Sequence, residues 1–179
     1  MQIKEEEGKV TLYQPLVDFY TKQVSEKGIK NDANITVTDD MLNAAAENAD
    51  TAIVTIGRYS SEGSDRSASK GDYYLSDAET ELLTRVAAKF KKTVVVLNVG
   101  AVLDTEWIKD IPGIDSVLMA WQAGMEGGLA TADVLVGDVN PSGKFVDTFA
   151  KDYKDYPSSD TFYESNSYCL LYTSLSPRD

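Results

Sequence analysis

Thr51-Ala52-Ile53-Val54-Thr55-Ile56-Gly57 runs directly into Arg58-Tyr59-Ser60-Ser61-Glu62-Gly63-Ser64-Asp65-Arg66, so an apolar run gives way at once to acids, hydroxyls and arginines. The apolar run is too short for a typical helix and rich in β-branched residues, which reads as a strand buried on both faces. In an open α/β sheet, the loop leaving the carboxyl end of such a strand faces the crevice in which ligands bind. Fold and chemistry meet at this junction.

Outward from it, strands and helices alternate. Thr93-Val94-Val95-Val96-Leu97-Asn98 reads as a second buried strand, and residues 114–120 as a third. Ser76-Asp77-Ala78-Glu79 fits the Ser-x-x-Glu capping box, which predicts a helix to about Phe90 with Leu82, Leu83, Val86 and Phe90 inward. Thr38 is the N-cap candidate of a helix that carries Leu42, Ala45 and Ala46 and ends near Asn48. Residues 126–136 hold helical periodicity up to a C-cap at Gly137. Near the N-terminus Leu16, Val17, Tyr20 and Val24 recur at three- and four-residue steps, as in a surface helix packed on the sheet. The order predicts an α/β fold in a single domain: a mainly parallel sheet with helices on both faces, an α/β sandwich. No internal repeat is visible.

Composition removes several classes of function. A chain of 179 residues, 42% hydrophobic, can bury the core of one ordinary domain. A net charge of -12 argues against a nucleic-acid partner, since phosphate binding rests on Lys and Arg. No apolar segment approaches the roughly 20 residues needed to cross a bilayer, so no membrane partner is expected. Met1-Gln2-Ile3-Lys4-Glu5-Glu6-Glu7 lacks a signal-peptide layout. The chain reads as soluble. Its location is unassigned, with the bacterial cytoplasm the favoured setting. With no histidine and one cysteine, Ser-His-Asp and Cys-His systems are excluded within this chain, and neither a metal nor a cofactor is expected. Acid/base chemistry falls to carboxylates, Lys or Tyr.

Several pieces, each weak alone, stand in one order: Asp50-Thr51-Ala52-Ile53-Val54, Gly57-Arg58, Glu62-Gly63-Ser64-Asp65-Arg66, Leu75-Ser76-Asp77, Val94-Val95-Val96-Leu97-Asn98 and Gly100. Trp121-Gln122-Ala123-Gly124-Met125-Glu126-Gly127-Gly128, Ala132-Asp133-Val134-Leu135, Gly137 and Asn140-Pro141-Ser142-Gly143-Lys144 continue the set. Together they resemble the C-terminal α/β sandwich domain of glycoside hydrolase family 3, over roughly residues 45–160. The resemblance implies a retaining, exo-acting β-glycosidase of β-glucosidase type, with an oligosaccharide or glycoside as substrate. It also implies an N-terminal barrel domain as partner, carrying the nucleophilic Asp and absent here. The general acid/base of relatives with the same Glu-Gly-x-Asp-Arg order falls on Glu62.

Retaining hydrolysis needs two carboxyl groups about 5–5.5 Å apart, one attacking the anomeric carbon, the other protonating the departing oxygen and later deprotonating water. Outside the motif, an isolated Glu in a polar loop is a solvated surface charge. Arg58, Asp65 and Arg66 are expected to support the catalytic loop through charge-assisted hydrogen bonds. Lys70 reads equally as a plain solvated charge. Trp121 reads as closing the core or a domain interface rather than as a sugar platform. The tyrosines at 73, 74, 153 and 156 are left open between the mouth of a sugar site and an interdomain surface.

Residues 1–44 are expected to be an N-terminal helical part of the domain or a lead-in, and residues 161–168 the start of a truncated downstream region. Residues 169–179, from Cys169 onward, resemble translated sequencing-adapter sequence and read as a non-native tail. Two other classes compete with the enzyme reading. One is a non-catalytic flavodoxin-like module that binds a ligand or partner. The other is a purely structural buttress for a barrel with a complete site of its own.

Overall fold

The computed structural model describes residues 1–27, 35–58, 67–145, 148–157 and 159. Along the chain come α1 (Gln2–Glu6), α2 (Gln14–Lys27), α3 (Asp39–Asn48), β1 (Thr51–Arg58), α4 (Asp77–Ala87), β2 (Lys92–Val99), α5 (Trp107–Asp110), β3 (Ser116–Met119) and α6 (Gly127–Leu135). A single 3-10 turn at Tyr153–Asp155 follows. The strands form one parallel sheet in the order β1-β2-β3. Thr51 stands opposite Lys92 and Arg58 opposite Val99, while Val94 to Leu97 pair with Ser116 to Met119. Among the described residues, no helix is long and apolar enough to cross a membrane.

Register and alternation place Val54 and Ile56 of β1, Val95, Leu97 and Val99 of β2, and Val117 and Met119 of β3 on one face. That face carries the core, closed by Leu42 of α3, Leu83 and Val86 of α4, and Trp107 of α5. Leu83, Val95 and Leu97 are at most 1% exposed, and each such burial contributes about 1.5–3 kcal/mol relative to the exposed side chain. α6 stands over the opposite face, so helices lie on both sides of the sheet as expected. A cavity of about 280 Å³ separates Ile53, Thr55 and Val96 from Gly128, Thr131 and Leu135 of α6.

The helix signals hold at their chemistry. In α4 the Ser76 hydroxyl accepts from the Glu79 N–H at 3.2 Å, and the Glu79 carboxylate accepts from the Ser76 N–H at 2.8 Å. Thr38 caps α3 by accepting from the Met41 N–H at 3.3 Å. Gly137, at φ 80, ends α6: its N–H reaches the Val134 carbonyl, and that of Asp138 reaches the Asp133 carbonyl.

Three expectations are corrected. β1 is not buried on both faces: Val54, Ile56 and Arg58 are buried while Thr51, Ile53, Thr55 and Gly57 are exposed. Among the described residues it is a sheet edge, and a run of β-branched residues hides this alternation because threonine and isoleucine suit either face. β3 is shorter than residues 114–120; Asp115 and Ala120 donate to Thr93 and Leu97 just beyond its ends, and Gly113 turns at φ 92 before it. The N-terminal region holds two helices, parted after Gly8 at φ 72, and the stripe on α2 packs only at its start. Leu16 and Phe19 meet the core, whereas Tyr20 and Val24 are 37% and 42% exposed. Residues 161–179, including the whole expected tail, lie outside the described residues.

Candidate active site

β1 delivers Arg58 at its carboxyl end on the buried side, where the guanidinium is taken out of water and must find a partner for every N–H. It does so with five hydrogen bonds for its five donors. Nη1 and Nη2 meet Oε1 and Oε2 of Glu79 at 2.5 and 2.8 Å. Nη1 also donates to the Gly57 carbonyl at 2.8 Å, Nε to the Asp72 carbonyl at 2.8 Å, and Nη2 to the Tyr74 carbonyl at 3.4 Å. The planar fork of arginine matches the carboxylate with two parallel bonds, which a lysine cannot do.

Burial pushes the Glu79 carboxyl up, but hydrogen bonds from Arg58 and the Ser76 backbone, with the Arg58 charge, outweigh it and hold the group below the ordinary carboxylate range. Glu79 therefore stays ionised as the third helical residue of α4, where an acid suits the helix N-terminus.

Residues 59–66 lie outside the described residues, and Ser67 is the first described residue after them. The Ser67 N–H and hydroxyl donate to the Asp72 carboxylate at 2.6 and 2.9 Å. Asp72 thus links Arg58 to Ser67, its carbonyl held by Arg58 and its carboxylate by Ser67. On the other side the Gln122 side chain donates to the Arg58 carbonyl at 3.3 Å. Gln122 is presented by Trp121, which adopts φ 55, a left-handed conformation that a non-glycine residue rarely takes.

Of the predicted site residues, Arg58 is placed as described, while Glu62, Asp65 and Arg66 lie outside the described residues. Lys70 pairs with Asp77 at 2.5 Å between two exposed side chains. Trp121 is half-buried and packs on Phe145 and Phe149, ring centroids 6.4 Å away in each case. Tyr73 is 1% exposed, so it lines no open mouth; Tyr74, Tyr153 and Tyr156 surround it edge-on at 4.9, 5.2 and 6.2 Å. Its hydroxyl has no hydrogen-bond partner among the described residues, and burial first, then neighbouring Tyr156 and Asp104, raise the phenol above its ordinary range. Among the described residues no group of three or more acidic or cysteine side chains is placed to hold a metal ion.

Asp72 carried no sequence signal, because a lone Asp in a polar stretch announces only a turn. Glu79 was legible as a cap but not as the partner of Arg58, twenty-one residues away.

A parallel α/β sandwich whose first strand ends, on its buried face, in a fully bonded arginine, with a polar stretch of sequence beyond, defines an α/β domain with its candidate site at the strand's carboxyl end. The model of the glycosyl hydrolase family 3 C-terminal domain matches residues 4–175, and the chain belongs to that family. It is 40% identical over 189 residues to β-glucosidase A of Butyrivibrio fibrisolvens, covering 89% of this chain and 22% of that protein. A β-glucosidase of Ruminococcus albus is 45% identical over 125 residues, 70% of this chain and 13% of that one. Among solved structures, β-glucosidase 3B from Thermotoga neapolitana in complex with glucose superposes with a TM-score of 0.79 at 33% identity, covering 90% of this chain and 24% of that one. The chain spans less than a quarter of the length of each of these relatives.

Proposed function

We propose that the chain is the acid/base-bearing sandwich of a retaining, exo-acting β-glycosidase of β-glucosidase type, acting on O-glycosidic bonds of oligosaccharides or glycosides. Glu62 is the general acid/base, and the nucleophilic Asp comes from an N-terminal barrel domain of the same protein. Arg58, Asp65 and Arg66 support the segment that carries Glu62. Residues 45–160 form the sandwich proper and residues 1–44 its N-terminal helical part; that the latter belongs to the domain is supported by the docking of α1 on α6.

The observation that carries this reading is the junction at Arg58. The chain leaves a parallel strand at its carboxyl end, where open α/β sheets bind ligands, and Glu62-Gly63-Ser64-Asp65-Arg66 follows within the next eight residues. The relatives of the same family bear the name β-glucosidase. A single carboxyl acid accounts for a rate factor of about 10²–10⁴, which leaves the nucleophile to the other domain.

The test grafts this chain in place of the matching segment of the B. fibrisolvens enzyme and replaces Glu62 with Gln. Poor leaving groups should then lose most of their rate, while activated aryl glycosides are partly spared because they depart without protonation. Azide should restore turnover by attacking the glycosyl-enzyme without base assistance. Equal slowing of good and poor leaving groups with no azide rescue would remove Glu62 from the role.

A further inference from the structure

We propose that Glu79 is a positioning residue for the acid/base: by holding Arg58 it fixes both ends of the segment that carries Glu62. The proposal rests on the reading of Glu62 given above.

The path is continuous in hydrogen bonds. Glu79 engages Arg58 bidentately, and Arg58 Nε holds the Asp72 carbonyl. The Asp72 carboxylate holds the Ser67 N–H. Arg58 is the residue before the segment 59–66 and Ser67 the residue after it, so one buried guanidinium governs the separation of its two ends. Glu79 itself is anchored from behind by the Ser76 N–H and by the rigid first turn of α4. Catalytic groups lose rate steeply when misplaced, on the order of 10²-fold for about 1 Å, so the base of the segment is where positioning can be lost without touching the substrate.

Glu79 has two duties, and they can be separated. Glutamine at this position still completes a capping box, because its side-chain carbonyl can accept from the Ser76 N–H. It cannot offer Arg58 two anionic oxygens. Ser76→Ala does the converse, removing the hydroxyl cap and leaving the Arg58–Glu79 pair in place. In the graft, Glu79→Gln should lower kcat for substrates with poor leaving groups by about ten- to hundredfold with KM little changed, and Ser76→Ala should leave kcat within about twofold. Equal effects of the two substitutions on kcat would overturn the proposal and leave Glu79 as a helix cap.

The isolated chain gives a second readout that needs no activity. Glu79→Gln should speed amide exchange at Ser67 while exchange within α4 is unaltered; unchanged exchange at Ser67 would also overturn the proposal. Failure of the Glu62 reading is seen separately. If Glu62→Gln shows no azide rescue while Glu79→Gln still speeds Ser67 exchange, the network stands and the identity of the acid/base does not.

Discussion

Lys4 Nζ lies 2.6 Å from Asp133 Oδ1, an almost fully buried ammonium set against the last turn of α6. Glu7 and Asp138 complete its shell at 2.9 and 3.0 Å, and Lys9 reaches Asp138 at 2.7 Å. Carboxylates near a helix C-terminus oppose the helix dipole, and Lys4 offsets both that and their mutual repulsion. The hydrogen bonds that the Lys4 ammonium donates to Asp133, Glu7 and Asp138 raise it above its ordinary range; hydrogen bonds from Lys9 and Lys4 hold Asp138 below its own.

The sign of the pH dependence follows. The Lys4 contribution is complete below the unfolded lysine value, about 10.4, and is lost as pH rises through the elevated folded value. The Asp138 contribution is complete above the unfolded aspartate value, about 3.9, and is lost as pH falls through the depressed one. Lys4→Met should lower the thermal midpoint by several degrees at neutral pH. That gap should narrow below about pH 4, as measured by circular-dichroism melts of both proteins across pH. A gap that stays constant into acid would show that Lys4 acts by packing alone.

Arg58→Lys keeps the charge and removes the fork. Glu79 loses one of two bonds, and the half-buried carbonyls of Asp72 and Tyr74 lose donors. The expected cost is about 1–3 kcal/mol in urea unfolding with an unchanged slope. A stability equal to the parent would mean that the ammonium, with its three donors, satisfies the same site.

Gly113 and Gly137 separate backbone strain from crowding. Both sit at positive φ, 92 and 80, where an L side chain costs roughly 1–2 kcal/mol. A Cβ on Gly113 would also stand 2.7 Å from the Ala87 carbonyl oxygen at the end of α4, whereas one on Gly137 meets nothing within 4 Å. Gly113→Ala should therefore unfold at clearly lower urea than Gly137→Ala. The reverse order would indicate that the turn before β3 relaxes freely.

If the acid/base is Glu62 and its nucleophile belongs to a barrel domain, as proposed, the chain by itself should not hydrolyse aryl β-glucosides, since a general acid alone supplies a rate factor of about 10²–10⁴. It should also self-associate as concentration rises, because Phe145, Val139 and Ile53 are 61%, 52% and 40% exposed. Sedimentation velocity over a concentration series checks this. Turnover that survives repurification and disappears with Glu62→Ala would sink the split-site reading.

The elements were legible where local chemistry writes them. Ser76 and Glu79 announced α4, Thr38 announced α3, and the run of valines from Val94 to Val96 announced β2, because caps and apolar runs act within a few residues. What the sequence hid is set at longer range. The bare face of β1 depends on which strands lie beside it, and Ile53 looks the same in an edge strand as in a central one. Tyr20 and Val24 obey a helical period that α2 buries only at its start. The role of Asp72 comes from a fold-back that joins residues 58, 67 and 72, and Lys4 reads as one charge among many until α6 is brought beside it.

Glu79 answers to Ser76 within its own helix turn and to Arg58 across twenty-one residues of chain. Drift at one of these positions is then judged against the other two. A neutral residue at 79 leaves a buried guanidinium at 58 without its counter-charge, and a cation at 58 calls for an acid at 79. The end of a strand and the start of a helix are in this respect one unit of variation, and a library that varies them independently should lose members in which one has changed without the other.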